Sequence, residues 1–528
     1  MFMNLKQITL LLASLGLLLG LDSCHLLKGG GGSDELDPVR TNKDTVKTIV
    51  DNGYKPEITN RDSLRNIKPD TIVWQDTLQE SQFKQIIVEY RKIGQQPIIK
   101  DTLGWIDYAG TIYEGNPNQM RQAEMKEQYT LTIMLPFLAN KYYKNEIPLR
   151  SLRAVEYYEG VELALDSLQK TKLALKVQVF DTEASESKID SLLKSKSLAE
   201  SDVILGPVSS KLLQKTANFG RDSGIMVVSP FNNNPRVTEN NIFYLQLNPG
   251  YPVHYQHMGA FLAQGIETPA ELKYRIKKQN LLIVGQERDS NAVRELLAAY
   301  QKGKNDLDAQ IPSYLSPNNG LSIANIQKKL SKDALNIIII PSHRSESFVF
   351  AALRELHSLV DRVEKGKGYE FLVIGMPQWK YYERINYDYY ENLRLHFSDA
   401  LFVQEDSREA KAFIKKYKQR YGIAPREFAY MGYDATLYLG KMLEKYGTGF
   451  PEHFHEAPYL GLQTRFYIEE VIEERPLLEN EEIIEKPLIN RFENQFVHFL
   501  QFKDYQLRPL SIFISKLQEE IEAQQKED

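Results

Sequence analysis

The chain has 528 residues, of which 42% are hydrophobic and 26% charged, with a formal net charge of −5 and one cysteine. That length and apolar content support at least one large buried core. The acidic balance, with no long basic stretch, excludes a nucleic-acid binder, and one cysteine excludes an intrachain disulfide, so burial must hold the fold.

The N-terminus reads as a leader. Lys6 is followed by an apolar and small-residue run from Ile8 to Leu21, and Ser23 is a small residue at the cleavage point, which together make a signal-peptide pattern over 1–23. At about 14 residues the run is shorter than the roughly 20 needed to cross a bilayer as a helix. Leu21-Asp22-Ser23-Cys24 resembles the lipobox of bacterial lipoproteins, although Asp22 stands where a small or apolar residue is usual. The resemblance implies lipidation at Cys24, with Gly29 to Gly32 as a flexible spacer and anchorage in the cell envelope, at the outer membrane facing the periplasm. A plain secretory leader with a chance cysteine is the alternative.

Residues 24–128 read as a tether and a partly ordered arm. Pairs such as Asp62-Ser63, Asp70-Thr71 and Asp101-Thr102 are turn formers, and the apolar clusters Thr71-Ile72-Val73-Trp74 and Ile86-Ile87-Val88 are scattered. A small peptidoglycan-binding or partner-binding module is the rival reading. As a coil, about 100 residues would span roughly 50–60 Å.

From Tyr129 the pattern changes. "YTLTIMLPF" predicts a strand and "LRAVEYYEGVELALDSLQ" a helix, followed by "LALKVQVFD", "DVILGP" and "GIMVVSP" with helices between them. The same grammar restarts with "NLLIVG", "NIIIIPSH" and "FLVIGMPQW". Short β-branched runs alternating with helices predict an α/β fold of two lobes, each a parallel sheet flanked by helices, with one large doubly wound sheet as the alternative. Ligands in such sheets bind beyond the carboxyl ends of the strands, here in a cleft between lobes.

The segment "VILGPVSSKLLQKTANFGRDSGIMVVSPFNNNPRVTENNIFYLQLNP" (203–249) resembles the first lobe of type I periplasmic binding proteins of the branched-chain amino-acid group. "PREFAYMGYDATLYLGKML" (425–443) is similar to that family's return helix. The resemblance implies a periplasmic-binding-like domain over 129–528 with three crossings. Lobe 1 is expected at about 129–248 and 401–460, and lobe 2 at about 249–400 and 461–510.

Ser209 and Ser210 stand between a strand and a helix, where they either cap the helix or help its free N–H groups bind an anion. The resemblance implies that Ser210 holds a ligand carboxylate and that Phe231, Asn232 and Asn233 supply a backbone group and a side chain, with Asn233 where amino-acid binders usually carry Thr. The second lobe offers His343, Arg344, Gln378 and Trp379 but no clear carboxylate for a ligand ammonium, which argues against a standard α-amino acid and for an acidic or sugar-like ligand.

No GxSxG, HExxH, P-loop or GxGxxG stretch is present, so the chain reads as a non-enzyme without cofactor. His254 and His257, and the trio His453, His455 and Glu456, lack a third ligand at a specific spacing from a second cluster, and no metal is expected. The acidic stretch Glu469 to Glu485 reads as a solvated loop, with a partner-binding surface as the alternative. The expected partners are a small polar ligand, with a membrane permease, or a cell-wall synthase if the body is instead an interaction scaffold like the lipoprotein activator of penicillin-binding proteins.

Overall fold

The structure, a computed structural model, describes residues 85–90, 125–141, 147–273, 276–316, 321–360, 368–472 and 489–510. The expected signal peptide, Cys24 and most of the 24–128 arm lie outside these residues. Among the described residues no helix is long and apolar enough to cross a membrane.

The first lobe is built on β1 (Gln85–Tyr90), β2 (Tyr129–Leu135), β3 (Leu175–Asp181), β4 (Val203–Leu205), β5 (Met226–Ser229) and β6 (Tyr244–Gln246). The strands β3-β2-β4-β5-β6 are parallel neighbours, with Ile133 lying between Val179 and Leu205. Their side chains are buried almost throughout, as both faces of a parallel sheet must be when crossover helices cover them. Two of those helices are α1 (Leu152–Leu168) and α2 (Ser210–Ser223). The cluster Ile86-Ile87-Val88, read from sequence as part of a scattered arm, lies in β1, which adds an antiparallel edge to β3.

The second lobe repeats the plan. Helix α3 (Tyr251–Gln264) leads into β7 (Lys278–Gln286), α4 (Ser290–Lys304), β8 (Ser313–Ser316), β9 (Ala334–Ile339), α5 (Glu346–Val360), β10 (Glu370–Gly375) and β11 (His396–Asp399). The parallel order is β8-β7-β9-β10-β11, so the chain starts on β7, places β8 on one flank and turns to β9 on the other. In the first lobe β2, β3 and β4 do the same, and each lobe thus has a switch point where loops splay apart and leave a crevice.

The chain then returns through α6 (Arg408–Tyr421) and α7 (Glu427–Tyr446) to the short pair β12 (Tyr459–Leu460) and β13 (Arg465–Phe466), and to the hairpin β14 (Ile468–Ile472) and β15 (Ile489–Asn494). It ends in β16 (His498–Lys503) and β17 (Gln506–Pro509). The sheet orders are β1-β3-β2-β4-β5-β6-β15-β14 and β17-β16-β11-β10-β9-β7-β8. Two separate sheets exclude the single doubly wound sheet. They also move the last crossing from the expected position near 460 to the residues after Asn494, because β15 pairs in parallel with β6, Phe492 against Leu245, and keeps the chain in the first lobe.

In both lobes a glycine lets helices touch backbone to backbone. A Cβ on Gly160 of α1 would lie 1.9 Å from the Ala429 carbonyl of α7, and one on Gly432 of α7 would lie 1.9 Å from the Tyr157 carbonyl. In the second lobe a Cβ on Gly259 of α3 would lie 2.3 Å from the Leu296 carbonyl of α4.

Candidate functional site

The loops that leave the carboxyl ends of β4, β5, β9 and β10 bring the expected site residues together in two groups, one on each lobe. After β4, Gly206 has φ +106°, and a Cβ there would lie 2.1 Å from the Met134 carbonyl, so only glycine lets the loop turn this close to β2. Ser209 is the N-cap residue of α2 but makes no side-chain cap bond, and it is exposed. Ser210 does not cap: its hydroxyl is held by the Asn232 side-chain amide at 2.8 Å. Asn232 is thereby a loop organiser, since its Oδ1 also accepts the Asn234 N–H at 2.8 Å. The Phe231 carbonyl accepts from the Asn248 side chain at 3.1 Å, and its ring lies against Tyr157 and against Phe428 at the start of α7.

On the second lobe, the His343 ring accepts the Arg344 Nε–H at Nε2 (3.0 Å), which leaves Nδ1 to donate to the Tyr255 hydroxyl at 2.9 Å. Burial, with help from the Arg344 and Arg288 charges, pushes its pKa down to about 4, so the ring is neutral near pH 7. Arg344 is exposed at the rim. Trp379, expected in the cleft, is fully buried instead, and its indole N–H donates to the Ser342 carbonyl at 3.0 Å. The physical reason is Gly375: a Cβ there would lie 2.4 Å from the Trp379 ring, so the ring fills the space that the glycine leaves at the end of β10.

The residue that joins the two groups is Tyr251, in the first turn of α3 just after the first crossing. Its ring stacks on His343 with centroids 3.8 Å apart. Its hydroxyl faces the side chains of Asn233 from the first lobe and Gln378 from the second, and burial raises its pKa. The Gln378 Oε1 is buried and makes no hydrogen bond. Sequence reading passed over Tyr251, although Asn248-Pro249-Gly250-Tyr251-Pro252 carries a signal: an aromatic residue directly after the lobe boundary, beside a proline in the first helical turn.

A second bridge between lobes lies nearby. Lys380, after β10, pairs with Asp399 at 2.6 Å and approaches Glu427 of α7 at 3.9 Å. Burial works to neutralise Lys380, but Asp399 and Glu427 outweigh it and hold the ammonium charged. The Tyr381 hydroxyl donates to the same Glu427 carboxylate.

The crossings themselves are pinned. Glu493, at the end of β15, accepts from the Gly250 N–H at 2.7 Å and from the Gln246 amide at 2.9 Å, and it pairs with Arg491. His257 of α3 bonds the Gln495 carbonyl at 2.7 Å, while His254 bonds Ser398 at 2.9 Å, so these two histidines serve different partners. His453 bonds Glu456 at 3.0 Å. Among the described residues no group of three His, Cys, Asp or Glu is placed to hold a metal ion.

No family model matches the chain, and no curated protein matches it. Solved structures do. The chain is similar to a putative branched-chain amino acid ABC transporter protein from Rhodospirillum rubrum at 11% identity, covering 72% of this chain and 100% of that one with a TM-score of 0.48. It is similar to an ABC transporter substrate-binding protein from Desulfitobacterium hafniense, solved with Leu, at 17% identity, 73% and 100% coverage and a TM-score of 0.43. It is also similar to the LpoA C-domain of Haemophilus influenzae, described as a regulator of PBP1A, at 12% identity, 72% and 99% coverage and a TM-score of 0.44. The structures similar to this chain thus include type I periplasmic binding proteins, at low sequence identity, and its own two-lobed fold rests on the strand orders and crossings described above.

Proposed function

We propose that this chain is an extracytoplasmic solute-binding lipoprotein, anchored through Cys24 at the outer membrane and facing the periplasm, whose lobes close over a small polar ligand. The observation that carries the reading is the convergence on Tyr251: an amide from each lobe, Asn233 and Gln378, faces one phenol, with His343 beneath it. A ligand that takes over the contacts of that hydroxyl touches both lobes at once, which is the condition for closure to depend on ligand. Arg344 at the rim, and a Glu427 carboxylate already engaged by Tyr381, favour an acidic or neutral polar ligand over one bearing an ammonium. Binding, as opposed to catalysis, is supported by the partner of the Ser210 hydroxyl, an amide that cannot act as a base.

Thermal unfolding and native mass spectrometry with acidic metabolites, sugars, amino acids and muropeptides test this. A ligand at a hundredfold excess over Kd adds about 2.7 kcal/mol of stability. The effect should vanish in Asn233→Ala and in Gln378→Ala. A full panel without any shift would remove the solute reading.

One observation favours a second reading, an interaction scaffold that regulates a cell-wall synthase. The lobes meet directly through the contacts of Tyr381 and Lys380 with Glu427. Recovery of a synthase, and not a permease, in a crosslinked pull-down would move the assignment to it.

A further inference from the structure

Arg465, the first residue of β13, is 7% exposed, yet its Nη1 is buried and makes no hydrogen bond. Burial pulls its pKa down, and among the described residues no acidic group acts on it in return. Two residues earlier, Gln463 is 2% exposed and its Nε2 is likewise buried without a partner. Several polar atoms nearby already have partners. The Gln463 carbonyl accepts the Phe402 N–H at 2.8 Å and bonds His498 Nε2 at 3.0 Å, and the Arg465 carbonyl accepts the Asn494 amide at 2.9 Å. The Asp434 carboxylate accepts the Leu462 and Gln463 N–H groups at 2.7 and 2.9 Å. The Arg465 guanidinium lies over the Phe496 ring at 5.4 Å, and its charge and that of Lys380 both act on His498, which burial holds neutral.

This corner therefore gathers a cation and unmatched donors against aromatic walls, and the walls come from chain crossings: Phe402 follows β11, and Phe496 and His498 bracket the passage from β15 to β16. A guanidinium taken out of water without a counter-charge is unfavourable, and a fork of N–H donors matches an oxyanion with two oxygens. We propose that Arg465 and Gln463 form a binding site for a small oxyanion, a carboxylate or a phosphate, at the hinge. The site is separate from the Tyr251 cleft and does not depend on the function proposed for it.

The test is thermal unfolding of the intact chain at constant ionic strength, with chloride replaced stepwise by inorganic phosphate in one arm and by acetate in the other. A saturable rise in Tm of about 2 °C or more is expected in at least one arm, and the arm that responds names the oxyanion class. Arg465→Met and Gln463→Leu should both lose the rise, and in chloride Arg465→Met should unfold no earlier than the parent, because it removes an unpaired buried charge. If Arg465→Met does not fold, Gln463→Leu and calorimetric titration of the parent with phosphate and acetate decide. A flat response of the parent in both arms, or an equal rise in parent and variants, would overturn the site.

Discussion

The phenol of Tyr381 donates to Glu427, whose two carboxylate oxygens lie 2.8 and 2.7 Å from it, and the two residues belong to opposite lobes. The bond joins the loop after β10 to the first turn of α7 and sits at the protein surface, with Tyr381 59% exposed. Tyr381→Phe should therefore alter the stability of the lobes by less than about 1 kcal/mol. It should instead shift the population toward open forms, read as a larger radius of gyration by small-angle scattering. An unchanged scattering curve would show that the remaining contacts, at Tyr251 and between Lys380 and Glu427, keep the lobes together without it.

Burial lowers the pKa of His254 to about 3, so the folded chain refuses a proton that the unfolded chain accepts near pH 6.5. Its contribution is complete above pH 6.5 and declines as the pH falls from there toward 3. Removing the ring while keeping a partner for Ser398, as in His254→Asn, should cut the acid sensitivity by one proton. The gap between parent and variant in unfolding free energy should narrow by roughly 1.4 kcal/mol per pH unit between pH 6 and 4. Parallel curves would show that the ring titrates normally.

Glu493 pairs with Arg491 while both are more than nine-tenths buried. Glu493→Gln keeps an acceptor for the Gly250 N–H but leaves the guanidinium alone, at an expected cost of about 3–5 kcal/mol. Adding Arg491→Met should recover part of that loss, measured as the midpoint of urea unfolding. A double variant worse than the single would show that Arg491 is needed for packing more than for charge.

Gly432→Ala places a methyl 1.9 Å from the Tyr157 carbonyl, and backbone cannot yield there as a flexible side chain would. Overpacking of this kind costs about 1–3 kcal/mol or more. The loss should be visible as an earlier thermal transition, while Gly265→Ala, where a Cβ meets nothing within 4 Å, tests the separate effect of a positive φ.

The parallel strands were legible because runs such as Val203-Ile204-Leu205 and Ile337-Ile338-Ile339 are buried on both faces and leave no polar interruption. The loop residues Ser210, Asn232 and Asn233 were legible from their place at strand ends, but not their partners, since Ser210 and Asn232 meet only after the crossover from β4 through α2 to β5 folds. The hairpin around the acidic stretch was hidden for a different reason. Strand β14 is an edge strand whose Glu469 and Glu470 face solvent, so it carries the charge of a loop. Trp379 misled because a tryptophan after "VIG" looks like a ligand platform until the space above Gly375 is known. Gly-Tyr-Asp-Ala at 432–435, within the segment similar to a return helix, has structural work in two of its residues: Gly432 admits α1, and Asp434 holds the turn at Leu462 and Gln463.

The late position of the last crossing sets the order in which the protein can assemble. Strand β15 closes against β6 from almost 250 residues downstream, and β16 must reach β11 after that. Neither sheet is finished until β15 and β16 have been made, so loop-closure entropy falls on both lobes together and slows folding. Until those strands are made, the edges of β6 and β11 stay open. The delay makes the last described strands the ones that commit both lobes to their native state.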